Sequence, residues 1–173
     1  MVRDRFTIRD AAIGDPSDIA QMTAIYAHHV RHGTASFDLE EPSPSKMADI
    51  FSLCFEAGLP VLVIAGADRH IAGYAYLSPF HKRAAYSLTV EDSIYIEPGL
   101  TGQGLGKRLL TALIARAQLA EKRQIMAVIG DSDNHASIGL HRAMGFTPIG
   151  IARDIGFKFG RFLDVVYMQR DLR

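Results

Sequence analysis

Apolar side chains recur along this chain with two periods, one near two residues and one near 3.6. Arg5 to Arg9 alternates and predicts a short opening strand. Asp15-Pro16-Ser17-Asp18 then reads as a helix start, with Asp15 as cap, Pro16 in the first turn and Asp18 at the positive end. Ile19, Met22, Ile25, Tyr26 and Val30 follow at helical spacing. The polar stretch from Gly33 to Pro44 is the longest predicted loop. Ser45 is the predicted cap of a second helix, whose Met47, Ile50, Phe51, Cys54 and Phe55 form one apolar stripe. Val61 to Ala65 and His70 to Leu77 read as strands joined by the turn Gly66-Ala67-Asp68-Arg69. A long strand is predicted from Tyr86 to Glu97. Strict alternation puts Leu88, Val90, Asp92, Ile94 and Ile96 on one face and Thr89, Glu91, Ser93, Tyr95 and Glu97 on the other.

Pro98-Gly99 ends that strand, and the turn Gly102-Gln103-Gly104-Leu105-Gly106 leads into a helix striped by Leu105, Leu109, Leu110, Leu113, Ile114 and Ala117. Ile125 to Ile129 is short enough for a buried strand. Asn134 to Met144 reads as a helix with Gly145 as its left-handed terminator. Two further strands are predicted near Pro148 to Phe157 and Leu163 to Gln169. The order β-α-α-β-β-β-α-β-α-β-β implies an α/β fold, a mixed and mostly antiparallel sheet with helices on both faces.

At 173 residues, without repeats or linkers, the chain is expected to form one domain, 1–173. Nineteen Lys and Arg against nineteen Asp and Glu give no formal net charge, which argues against nucleic acid or an anionic membrane as partner. A lone Cys54 excludes a disulfide framework and a Cys-based zinc cage, and it sits on an apolar stripe. The longest mainly apolar run, Gly58 to Ala67, is about half a bilayer span. Met1 to Asp10 carries no apolar signal region, so the expected location is the cytoplasm. His28, His29 and His32 lack the spacing of a metal site and read as a solvated face; no metal is expected.

The three glycines between strand and helix suit either a tight connection or a phosphate cradle at a helix N-terminus, with Lys107 beside it. Spacing excludes two nucleotide motifs. The dinucleotide fingerprint needs glycine where Lys107 stands, and the mononucleotide P-loop needs glycine at Thr101 and Ser or Thr at Arg108.

Thr101-Gly102-Gln103-Gly104-Leu105-Gly106 resembles the Gln/Arg-x-x-Gly-x-Gly/Ala turn of the GNAT acetyltransferases, with Thr101 in place of Gln or Arg. Thr89 to Ile96, Asn134 to His141, Gly145-Phe146 and Gly156 to Asp164 are similar to the phosphinothricin acetyltransferase branch, which includes enzymes for methionine sulfoximine and sulfone. The resemblance runs from about Ile8 to Leu172. It implies acetyl-CoA as co-substrate, a small-molecule amine as acceptor and a homodimer.

By that resemblance the pyrophosphate is held by Thr101, Gly102, Gln103, Gly104, Leu105, Gly106 and Lys107. The pantetheine and thioester oxygen meet backbone N–H groups around Ile94, Tyr95 and Ile96, where the family's strand bulges and splays from its neighbour. Asn134 is a helix cap by sequence and lies at the cofactor arm in the family, with Ser137 in the same segment.

Glu91 is the candidate general base, because a mid-strand carboxylate is costly to bury without a purpose; the other reading is a solvent-facing side chain. Asp92, on the opposite face, is the second choice. His141 stands where many relatives carry an acidic Tyr, and either donates a proton to the leaving thiolate or packs near the sulfur. His81 to Tyr86 looks like the branch's Arg-x-Arg-x-Ala-Tyr segment with His81 replacing the first Arg. There Arg83 either pairs with a substrate α-carboxylate or lies in solvent. Phe37, in Thr34-Ala35-Ser36-Phe37, would line an apolar acceptor pocket. The expected activity is direct transfer of acetyl from acetyl-CoA to an amino-acid-like amine. The rivals are a peptide N-terminus or polyamine acetyltransferase, and a non-catalytic coenzyme A-binding regulator.

Overall fold

The computed structural model describes residues 5–173; part of the alternation read over Met1 to Asp10 lies outside them. In chain order the elements are β1 (Phe6–Asp10), α1 (Pro16–His32), α2 (Pro44–Glu56), β2 (Val61–Gly66), β3 (Ile71–Pro79), β4 (Thr89–Ile96), α3 (Leu105–Leu119), β5 (Gln124–Gly130), α4 (His135–Ala143), β6 (Thr147–Lys158) and β7 (Arg161–Asp171). They form one seven-stranded sheet in the order β1-β2-β3-β4-β5-β7-β6. The β4–β5 pairing is parallel and the others are antiparallel. The expected element order and mixed sheet are therefore present.

Helices cover both faces. Tyr26 of α1 meets Tyr95 edge-on at 5.0 Å, and Phe51 of α2 meets Tyr74 at 5.8 Å and Tyr76 at 5.5 Å. Gly106 of α3 lies against Ile96, whose side chain points to the opposite face from Tyr95. Leu109, Leu110 and Leu113 of α3 are fully buried, as the stripe requires. Full burial of such a side chain contributes about 1.5–3 kcal/mol.

Asp15 caps α1 as expected, accepting from the Ser17 N–H at 2.9 Å. Asp18 does more than favour a helix end. It is buried and takes a two-pronged bond from Arg9 of β1 at 2.6 and 2.8 Å, which ties the helix to the sheet.

Four expectations are corrected. The cap of α2 is Ser43, not Ser45: its side chain accepts from the Lys46 N–H at 3.2 Å, and Pro44 takes the first helical position that suits its fixed φ. Phe55 lies outside the buried stripe of Met47, Phe51 and Cys54 and is exposed, because one residue turns the helix by about 100°. The long strand begins at Thr89 rather than Tyr86, since Ala84–Tyr86 coil into a single 3₁₀ turn. It also carries no bulge against β3: Val90 to Ile96 pair with Pro79 to Gly73 in unbroken register.

The site opens by splaying alone. Pairing between β4 and β5 stops at Asp92 and Ala127, although β4 runs on to Ile96 and β5 to Gly130. Among the described residues, no helix is long and apolar enough to cross a membrane.

Candidate active site

A cavity of about 720 Å³ passes through the sheet at this split. On the α3–α4 side it is lined by Thr101, Gly102, Gly104, Leu105, Gly106 and Lys107, then by Asn134, Ser137 and His141. Ile94, Tyr95 and Ile96 form its strand wall. On the α1–α2 side it reaches Tyr26, Phe37, Asp38 and Glu91. Glu91 and Asp92 point to opposite faces of β4, yet both line this cavity because it crosses the sheet.

The glycine turn has the geometry of an anion cradle. Gly102 and Gly104 have φ of +74° and +80°, the left-handed region where side chains are strained. Gly104 is the N-cap of α3 and supplies no side-chain cap, so the first N–H groups of the helix are left for a ligand. The residues present therefore fit a pyrophosphate, with Lys107 in the lining as a cation. Gln103 is outside the lining; its amide donates to the Gly99 carbonyl at 3.4 Å. Asn134 combines both of its readings: it caps α4, accepting from the Ser137 N–H at 3.2 Å, and it lines the cavity.

Burial, and then the negative charge of Asp92, push the Glu91 carboxyl up to about 7. Asp92 itself is buried and paired: its Oδ2 lies 2.9 Å from His141 Nε2, with both side chains almost wholly inaccessible. Burial alone would lower the His141 ring. The hydrogen bond and charge of Asp92, with the Ser137 carbonyl, outweigh it and raise the ring above its ordinary value.

The α1–α2 side of the cavity joins Phe37, which the sequence singled out, to residues that it did not. Phe37 packs where side chains at Gly130 and Gly156 would otherwise stand, since a Cβ added at either glycine would strike its ring. Lys158 is buried, and its Nζ donates to the Gly33 carbonyl at 3.0 Å and the Ser36 carbonyl at 2.7 Å, which fastens the Gly33–Asp38 loop to β6. Burial lowers its pKa against the pull of Asp38. The Tyr26 hydroxyl bonds Ser36 Oγ at 2.6 Å and Asp38 at 2.9 Å. A charged residue amid phenylalanines in Gly156 to Phe162 was the one available signal, and it gave no hint of which way Lys158 turns.

His29 overturns the solvated-face reading. It lines the cavity, bonds the Ile96 carbonyl through Nε2 at 2.9 Å and lies 5.4 Å from the Tyr95 ring; burial lowers its pKa. His28 and His32 instead lie against each other, ring centroids 4.7 Å apart and tilted by 45°. Among the described residues, no group of three or more His, Cys, Asp or Glu is arranged to hold a metal ion. Cys54 is buried on α2, and burial pushes its thiol up to about 11, which leaves no thiolate at neutral pH.

His81 and Arg83 are not brought to the cavity of this chain. Both are exposed on the turn before β4, where the Arg83 N–H donates to His81 Nδ1 at 3.1 Å and His81 lies 4.8 Å from the Tyr86 ring.

Comparison with known proteins points the same way as this geometry. Residues 24–146 match the acetyltransferase (GNAT) family. A phosphinothricin N-acetyltransferase of Alcaligenes faecalis is 50% identical over 155 residues, covering 90% of this chain and 78% of that protein. An L-methionine sulfoximine/L-methionine sulfone acetyltransferase of Pseudomonas aeruginosa is 36% identical, covering 96% and 94%. The crystal structure of a GNAT superfamily phosphinothricin acetyltransferase from Sinorhizobium meliloti in complex with acetyl-CoA superposes with a TM-score of 0.91 at 41% identity, over 96% of this chain and 88% of that one. With a family match across most of its length and relatives this similar over nine-tenths of it, the chain belongs to the GNAT acetyltransferase family.

Proposed function

We propose that this chain, as one acetyltransferase domain spanning 1–173, transfers acetyl from acetyl-CoA to the amine of a small amino-acid-like acceptor of the phosphinothricin, methionine sulfoximine or methionine sulfone type. The observation that carries this reading is the single cavity that joins an anion cradle on one face of the sheet to a buried carboxylate on the other. Glu91 is the base: near pH 7 it is poised to take a proton from the incoming amine, directly or through a water. The turn from Thr101 to Lys107 and the cap residue Asn134 hold the coenzyme, with Ser137 beside them, and the free N–H groups of the splayed end of β4 orient the pantetheine and thioester oxygen. When bound, acetyl-CoA supplies the activated acetyl group and the leaving thiolate. His141 lies on the thiolate side, opposite Glu91, where a proton must be returned. Phe37, pinned by the loop that Lys158 fastens, walls the acceptor pocket.

The names of the relatives support an amino-acid-like acceptor. One feature of this chain favours a second reading, a polyamine or peptide N-terminus: the acceptor side carries Asp38 and Glu91, and among the described residues no arginine lines the cavity. Acetyl-CoA turnover against amino acids, their sulfoximines and sulfones, polyamines and short peptides decides between them. Arg83→Ala adds a sharper arm. If Arg83 reads an α-carboxylate, KM for the free amino-acid analogue rises at least about tenfold while the amide or ester is little affected, and Lys at this position rescues only partly. Equal losses on both substrates would make Arg83 a structural residue of its turn.

Since Arg83 and His81 lie outside this chain's own cavity, a homodimer is the arrangement in which they could serve a site. The long edge strand β6 suits such contact: Ile149, Ile151, Ile155 and Phe157 are all exposed, with Phe162 of β7 beside them. Ile151→Glu combined with Phe157→Glu should convert a dimer to monomer by sedimentation; an unchanged mass would remove this face from the interface.

A further inference from the structure

The His141 ring has three polar neighbours, and they determine where its protons are. Nδ1 lies 2.8 Å from the main-chain oxygen of Ser137 and 3.3 Å from that residue's Oγ. A carbonyl only accepts, so Nδ1 carries a hydrogen, shared between these two atoms of one residue. Nε2 lies 2.9 Å from Asp92 Oδ2. The other carboxylate oxygen, Oδ1, is buried without a hydrogen-bond partner among the described residues. A carboxylate so placed needs a positive neighbour, and a ring protonated on both nitrogens is that neighbour. The edge of Phe146, 4.9 Å from the ring, excludes water on one side. Around this pair the titratable groups are Asp92 from β4, Glu91 beyond it on the opposite face, and Lys107, which α3 brings to the same cavity. Ser137 lines the cavity on the α3–α4 side, whereas Glu91 belongs to the acceptor side.

Resting on the acetyl-transfer reading above, we propose that Asp92, His141 and Ser137 form a proton relay to the leaving thiolate, with the Ser137 hydroxyl as its cavity end and Asp92 as the residue that positions and charges the ring. Ser137 gives its hydroxyl proton to the sulfur that takes the electron pair of the breaking carbon–sulfur bond. Its Oγ takes the Nδ1 proton of His141. The ring, still donating Nε2–H to Asp92, is left neutral and regains one proton from solvent, while Glu91 releases to solvent the proton it took from the amine. Protons balance over the cycle. The arrangement gives the two carboxylates of β4 separate tasks, one on each face: Glu91 removes a proton from the acceptor, and Asp92 keeps a proton ready for the thiol.

Asp92→Asn separates the charge from the geometry. The amide nitrogen can donate to Nε2, which holds the ring in place but leaves it neutral. In the parent protein without ligand, the His141 NMR titration should have its midpoint above the ordinary value of about 6.5. In Asp92→Asn the midpoint should fall below the parent's, and the single-turnover rate of acetyl transfer should drop at least about tenfold. Ser137→Ala should leave the His141 titration at its parental midpoint yet slow the same step at least about tenfold, with acetyl-CoA affinity measured separately by calorimetry. A parental midpoint below 6.5, an Asp92→Asn midpoint equal to the parent's, or a full single-turnover rate in Ser137→Ala would each overturn the relay. Should Asp92→Asn not fold, the parental midpoint and the Ser137→Ala rate decide by themselves. Failure of the parent to acetylate any amine would instead sink the acetyl-transfer reading, and the His141 titration would still report on the pair.

Discussion

Replacing Glu91 by Gln should lower acetyl transfer roughly 10²–10⁴-fold at neutral pH while leaving acetyl-CoA binding intact. The carboxyl and the amide occupy the same space on β4, so the loss isolates the proton-accepting atom. A base with its pKa near 7 is competent only when ionised, so Glu91 should contribute a fall of about tenfold per pH unit below that value to the parent's kcat/KM, in addition to the fall set by protonation of the amine. The variant should lack this limb, retain the one set by the amine itself, and lose less at high pH, where more amine is already neutral. The stability test runs in the opposite direction. The folded-state pKa of Glu91 lies above the ordinary carboxylate value near 4.5, so its ionisation opposes folding increasingly from about pH 4.5 to 7 and fully above that. Glu91→Gln should therefore melt at least as high as the parent at pH 8. Lower melting together with full activity would mean that Glu91 is a structural carboxylate and that the base lies elsewhere.

How far the sequence could disclose this site follows from which contacts are local. Strand alternation alone put Glu91 and Asp92 on opposite faces, and both nevertheless line the cavity because it crosses the sheet. The glycine turn was legible because left-handed backbone at a helix N-terminus demands glycine in a short window. The Ser137–His141 spacing on one helical face was equally open to reading. Contacts between distant segments were not. Nothing near Lys158 in sequence says that its ammonium will hold carbonyls at Gly33 and Ser36, and nothing near His29 points to the Ile96 carbonyl. The polar character of His28, His29 and His32 suggested a solvated face, but the helix turns His29 inward by about 100° relative to His28. The splay between β4 and β5 was also hidden from residue patterns, because both strands keep strand-like composition beyond the point where their pairing ends.

Gly104→Asp should weaken acetyl-CoA binding at least tenfold without unfolding the protein, and the two halves of that expectation have different causes. Gly104 caps α3 in the left-handed conformation, φ +80°. A Cβ there meets nothing within 4 Å, so the substitution creates no clash. Asp is also among the side chains that tolerate left-handed backbone and serve as helix caps, so the expected thermal shift is a few degrees at most. The ligand is affected far more. A carboxylate at this point occupies the positive end of the α3 dipole and competes for the N–H groups that would otherwise reach a phosphate, while adding like-charge repulsion. Gly104→Ala is the control: it brings the backbone strain without the charge, and it should cost less than the Asp variant. Since the charge is exposed to salt, the gap between Asp and Ala should narrow as ionic strength rises through the range where the screening length falls to about 8 Å or less. Calorimetric titration of both variants with acetyl-CoA at two salt concentrations tests each part. Equal affinities for parent, Ala and Asp would mean that the turn is only a connection between β4 and α3, and the coenzyme would have to be held by the splayed strand and Asn134 alone.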